Sequence, residues 1–482
     1  MQKFYKRSLL VTLCASSVAF AAPSSQAKID VLQQQLDSVQ TALNQLQAQP
    51  TSKSQQKQAN KKAQKRELFD KNDFINNYVV VAPYTGKATY NSGPTLVVNA
   101  PSINMDAKLL YRRFYQEHDL LAAGEKISEH PRLVLSGEVA GGVGYERPYW
   151  GPRQTDVDLT DVELDTYAEV TPWVNGLMEF SYDRDPVSIF RPRRVSNSNI
   201  YLDKGFLTIG NFHQSPFYGT LGQNYVPFGR YSTNMIVSPL TKDLGATKAR
   251  AIVVGYEPVK DFTPVAHVFF FRGNSNEAGK GLARQLGFDA AFRVLQPIYN
   301  ANVGASYIAN IADANYMQNN GQLNPARFQG FDVSNAEGLV HRVSGATVYG
   351  NASYGPFGVI AEVVTALQDF APTNVTYNGR GARPKAMNAE LSYGFQAFEH
   401  PFNFAVGYGR TSQALAFNVP WQRYDTSLSI SIMKNLFAEL EYQHNVNYGA
   451  TYRAMAQGMT AFTASELGKA NDIATAQMAL YF

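Results

Sequence analysis

The chain has 482 residues and one cysteine, and its 43 Lys+Arg against 39 Asp+Glu leave a formal net charge of +4. That balance is too weak to argue for nucleic acid, and a single cysteine excludes a disulfide framework within the chain. Charged residues make up only 17% and aromatics 12%, with 28 Tyr and 29 Phe. Past the extreme N-terminus there is no run of about 18 apolar residues, which excludes a helical membrane protein.

Residues 1–21 read as an export signal. Lys3, Lys6 and Arg7 are a basic n-region, Leu9 to Phe20 an apolar stretch too short to span a bilayer, and Ala19-Phe20-Ala21 a cleavage site. Cys14 lies inside it, and Leu13 before it argues against lipidation, so the mature chain is expected to carry no cysteine. Export, aromatic and glycine content and moderate hydropathy together fit a transmembrane β-barrel, where a lipid face alternates with a polar lumen.

In residues 22–50, Ile29, Leu32, Leu36, Val39, Leu43 and Leu46 repeat at 3-4-3-4-3, a heptad seam. It predicts either a short parallel coiled coil in the periplasm that gathers subunits, a trimer being favoured, or a lone amphipathic helix. Residues 51–66 are polar, basic and aperiodic and read as a linker. Residues 67–131 mix short strand patterns with one helical stretch, "NMDAKLLYRRFYQEHDLLAAGE", and read as a plug inside a barrel or a collar below it.

From Arg132 to Phe482, alternating stretches of roughly ten residues are separated by connections that are short and long in turn, the pattern of an outer-membrane barrel. Both barrel ends on the periplasmic side require an even strand number. Splitting residues 200–226 at "HQSP" into Ile200–Asn211 and Phe217–Val226 predicts sixteen strands, seven short turns and eight long loops. The last strand, 472–482, places Met478, Leu480 and Phe482 on one face, a terminal signal for the barrel-assembly machinery.

Alternation also assigns the lumen. Glu138, Asp161, Glu163, Asp165, Glu169, Glu179 and Asp183 form an acidic wall on the first strands, because carboxylates on the lipid side are prohibitive. The same logic turns Lys248, Arg250 and Arg293 inward on later strands. These charges predict either a field across the pore or local ion pairs. Arg191, Arg193 and Arg194 cluster in the second long loop, suited to an anionic ligand or to lipopolysaccharide phosphates. The third long loop, carrying Arg230, either folds inward to narrow the channel or lies on the surface. The seven histidines show no ligand spacing, so no metal or cofactor is expected, and neither GxSxG nor HExxH points to an enzyme.

The stretch "SPFYGTLGQNYVPFGRYSTNMIVSPLT", with "TLVVNAPSINMDAKLL" before the barrel, resembles the LbtU-type siderophore porins. The resemblance implies an outer-membrane barrel for iron acquisition that takes up a ferric polycarboxylate siderophore. Ferrous iron or general small-solute diffusion is the alternative. Here "STNMIVSPL" is one residue longer before the proline than the family pattern.

Overall fold

The computed structural model describes residues 79–85, 89–90, 96–97, 103–124, 131–183, 199–277, 281–296, 298–319, 338–433, 435–456 and 466–482. The export signal, the heptad seam from Ile29 to Leu46, the linker, and Arg191, Arg193 and Arg194 lie outside the described residues.

Sixteen antiparallel strands close into one barrel: β1 (Arg132–Arg147), β2 (Gln154–Glu169), β3 (Val174–Asp183), β4 (Asn199–Gly210), β5 (Phe217–Tyr225), β6 (Lys248–Tyr256), β7 (Phe262–Glu277) and β8 (Gly281–Leu295). They continue as β9 (Tyr299–Ile308), β10 (Gly345–Tyr354), β11 (Phe357–Ala366), β12 (Lys385–Ala397), β13 (His400–Ser412), β14 (Gln422–Met433), β15 (Leu436–Val446) and β16 (Ala470–Tyr481). Each pairs with the next, and β16 pairs with β1, from Asp472↔Arg147 to Tyr481↔Glu138. Closure pairs each barrel strand on both sides along most of its length. The expected split at 200–226 is present as β4 and β5, and β1 starts at Arg132. One connection differs. The fourth loop-side link spans only 278–280, because β7 and β8 stay paired out to Glu277↔Gly281, past a register shift between Arg272 and Asn276.

The outer face is apolar. Val139, Met178, Phe180, Ile252, Phe270, Phe292, Val303, Leu391, Phe404, Leu440 and Met478 are all exposed. Aromatic residues mark both ends of this belt. At the short-turn rim stand Trp173, Phe217, Phe262, Tyr299, Tyr354, Phe357 and Phe398, and toward the loops stand Tyr145, Tyr201, Tyr424 and Tyr442. Tyr299 and Tyr307 share the outer face of β9 eight residues apart, about 26 Å along a strand.

A short strand, Val79–Val81, pairs in parallel with Leu133–Leu135 of β1. It occupies the edge of β1 that β16 leaves bare beyond Phe482. Val79 and Val81 are exposed while Val80 is buried. The chain then turns inward: Thr85 N–H donates to Ser136 Oγ at 3.1 Å, and the Tyr84 ring stacks on Tyr167 at 5.3 Å.

Helix α1 (Met105–Ala122) packs against inward-facing side chains of the wall. Met105 and Leu109 join Tyr167, Leu177 and Phe206 in one buried cluster, and Ala107 and Leu110 join Phe212 and Tyr218 in another. Arg113 donates to Asn175 Oδ1 at 3.0 Å and to the carbonyl of Thr171 at 3.3 Å, in the first short turn. The helix therefore sits in the lumen toward the short-turn rim. At the opposite rim the loops share an apolar core with Leu240, Leu244, Ile311, Phe370, Phe417 and Tyr448 all buried. Val375–Tyr377 pairs with Ala454–Ala456 and ties two of these loops together.

Candidate functional site

The third long loop folds inward, and the wall holds it with carboxylates. Glu362 on β11 accepts the N–H groups of Arg230 and Tyr231 at 2.7 and 2.9 Å and the Thr241 hydroxyl at 3.0 Å. Glu390 on β12 accepts the Thr233 hydroxyl at 2.6 Å and the Asn234 N–H at 2.7 Å. Glu441 on β15 accepts the N–H groups of Ile236 and Val237 at 2.5 and 3.2 Å. A charged acceptor bonds a backbone N–H more strongly than a neutral one, so a loop with no ladder of its own is fixed along the inner wall. Within it, helix α2 (Leu240–Gly245) carries Asp243, whose carboxyl is pushed up by burial.

Loop and helix α1 meet through a chain of charges. Arg230 Nη2 donates to Asp289 Oδ2 at 2.7 Å, and its guanidinium lies over the Tyr349 ring at 4.4 Å. His267 faces Asp289 at 2.9 Å with Nδ1 and Glu257 at 3.0 Å with Nε2. Glu257 accepts from Arg293 Nη1 at 2.8 Å and from the Tyr111 hydroxyl of α1 at 2.9 Å. The series Arg230–Asp289–His267–Glu257–Arg293 thus runs from the constriction loop to the helix.

Between them lies a cavity of about 330 Å³. Helix α1 and its N-cap contribute Asn104, Lys108 and Tyr111, the loop Arg230, Ser232 and Asn234, and the wall Glu257, Arg293, Asn300, Asn302, Asn351 and Ser392. Burial lowers the Lys108 ammonium to about 7, aided by Arg112, Arg230 and Lys204, while Asp106 opposes the shift. Cationic groups and neutral amides that both donate and accept suit a compact anion with several oxygens.

Glu138, Asp165, Glu169 and Glu179 are buried, and Asp161 and Glu163 are partly so. Asp183 ends β3, paired with Asn199. They do not form a wall of one sign. Arg132 bridges Glu169 at 2.5 Å, and the buried Lys204 ammonium contacts Glu179. Lys248 pairs with Asp203. Cations therefore stand among these carboxylates, at Glu169, Glu179 and Asp203.

Arg250 corrects the expectation. It is exposed, on the outer face with Ile252 and Val254, while Ala251 and Val253 turn inward. Standing near the loop end of β6, its long side chain can keep the charge at the membrane boundary, so strand parity overrides the rule that charges point inward. Lys108, Lys204, His267, Glu257, Glu362 and Glu390 were not singled out from the sequence. Glu362 and Glu390 could have been found, since each is a carboxylate on the inward parity of an alternating strand.

No family model matches the chain. It is 34% identical over 479 residues to a UPF0422 protein of Coxiella burnetii, covering 98% of this chain and 96% of that protein. It is 36% identical over 417 residues to a UPF0422 protein of Legionella pneumophila strain Lens, covering 84% of this chain and 76% of that protein. Among solved structures it is similar to the outer membrane channel DcaP of Acinetobacter baumannii, with TM-score 0.44, 12% identity and coverage of 73% and 97%. OprB of Pseudomonas putida gives TM-score 0.43, 9% identity and coverage of 77% and 97%.

Proposed function

The chain belongs to the UPF0422 protein family, and from that premise we propose that it is a porin-like channel of the bacterial outer membrane for a small carboxylate-bearing solute. The closed sixteen-stranded barrel with an apolar belt between two aromatic zones supports the membrane placement. The observation that carries the solute class is the cavity between α1 and the inward loop, with Lys108, Arg230 and Arg293 among amides. A ferric polycarboxylate siderophore, the cargo implied by the sequence resemblance, has the charge this lining favours. In this reading α1 is the plug, the heptad seam gathers a homotrimer, and Arg191, Arg193 and Arg194 meet anions at the outer mouth. Passage of ferrous iron or of small solutes in general is the alternative.

Planar-bilayer recording on the purified protein tests it, with ferric citrate and citrate as probes. Saturable block by ferric citrate alone supports an iron porin. Equal block by citrate keeps the carboxylate solute and removes iron from the reading. Current indifferent to both overturns the proposed solute class and leaves general diffusion.

A further inference from the structure

Strand register gathers carboxylates on the inner face of β1 to β3. Glu138 stands across from Glu163, and Asp165 across from Glu179. Glu163, Asp165 and Glu179 each bring an oxygen within 4.8 Å of the others. Such a cluster is not in itself a site, but an orphaned buried group stands beside it. Ser181 is 6% exposed, sits directly across from Glu163 on the same inward face, and its hydroxyl has no hydrogen-bond partner. Asp165 is 3% exposed; Thr85 donates to its Oδ2, and its carboxyl meets that of Glu179.

We infer that Glu163, Asp165 and Glu179, with the Ser181 hydroxyl, form a binding site for one divalent cation of the calcium and magnesium class. The donor set is oxygen only, which selects a hard ion over zinc or copper. Oxygens within 4.8 Å of one another fit around an ion with metal–oxygen distances of about 2.3–2.6 Å. Formally, three carboxylates and the Lys204 ammonium at Glu179 sum to −2, the charge one such ion cancels. The ion gives Ser181 Oγ the partner it lacks. Through Thr85 on Asp165, it also fixes the segment leading to α1 against the wall. None of these four residues lines the cavity between α1 and the inward loop.

Calorimetric titration of Ca2+ into chelator-stripped protein, refolded in detergent without lipopolysaccharide, tests the inference. The expected result is one Ca2+ per chain, with affinity at least tenfold weaker in Asp165→Asn and Glu163→Gln. It should be unchanged in Glu439→Gln, a buried lumen carboxylate on β15 outside the cluster, and at least threefold tighter in Lys204→Met. Heat-modifiable electrophoretic mobility reports that each barrel is folded. Glu163 is only half-buried, so its variant preserves the test if Asp165→Asn does not fold. Absence of saturable binding by folded wild-type protein overturns the inference, as does affinity unchanged in Glu163→Gln.

Discussion

Gly137 and Phe482 exchange two backbone hydrogen bonds, Gly137 N–H to Phe482 O at 2.8 Å and Phe482 N–H to Gly137 O at 3.0 Å. The phenyl ring occupies the place of a side chain on residue 137, where an added Cβ would lie 2.5 Å from Cζ of Phe482 and 2.7 Å from the Glu163 carbonyl. Phe482 thus lies inside the ladder rather than beyond it. Gly137→Val is expected to destabilise the barrel by about 1–3 kcal/mol through overpacking. Deleting Phe482 should cost more than Phe482→Ala, which keeps both main-chain bonds. Urea unfolding in detergent measures both.

Glu362 is the anchor of the inward loop at Arg230, Tyr231 and Thr241. Glu362→Gln turns an acceptor-only carboxylate into an amide whose NH2 faces donors, at a cost of about 1–3 kcal/mol. Larger and noisier single-channel current than wild type is the expected outcome, read in planar bilayers.

Arg113 seats α1 on the first short turn and also bridges Glu117 at 2.8 Å. Arg113→Ala removes the donor to Asn175 Oδ1 and to Glu117 Oε1, His213 remaining at Glu117 Oε2, and weakens the seat by about 1–3 kcal/mol. Conductance should rise and the helix should become cleavable by protease, while the barrel keeps its heat-modifiable mobility.

Lys108 sets a pH window. Its pKa is lowered by burial to about 7 from the ordinary 10.5. Between those values the unfolded chain holds a proton that the folded chain does not, so stability from this residue rises with pH across the window. Below pH 7 both states are charged and the burial penalty is complete. The lumen correspondingly loses one cation as pH rises through 7. Anion preference, read from reversal potentials, should fall between pH 6 and 8 in wild type and stay flat in Lys108→Met.

The barrel was legible in the residues because a strand repeats every two positions and a lipid-facing wall must alternate. Local pattern therefore supplied the strand count, the short turns and the terminal closing strand, and parity placed Glu138, Asp165 and Glu179 inside. Parity also carried the outward position of Arg250, which the rule that charges avoid lipid had reversed. The partners of the inward groups were not legible. Thr233 meets Glu390 157 residues away, and Thr85 meets Asp165 across 80. No local periodicity specifies such pairs. Whether residues 103–124 and the third long loop enter the lumen depends on carboxylates and cations brought opposite them only when sixteen strands close. Sequence alone carries the wall, since its physics is one strand against solvent or lipid. The contents of the lumen belong to the tertiary fold, since they rest on contacts across the closed ring.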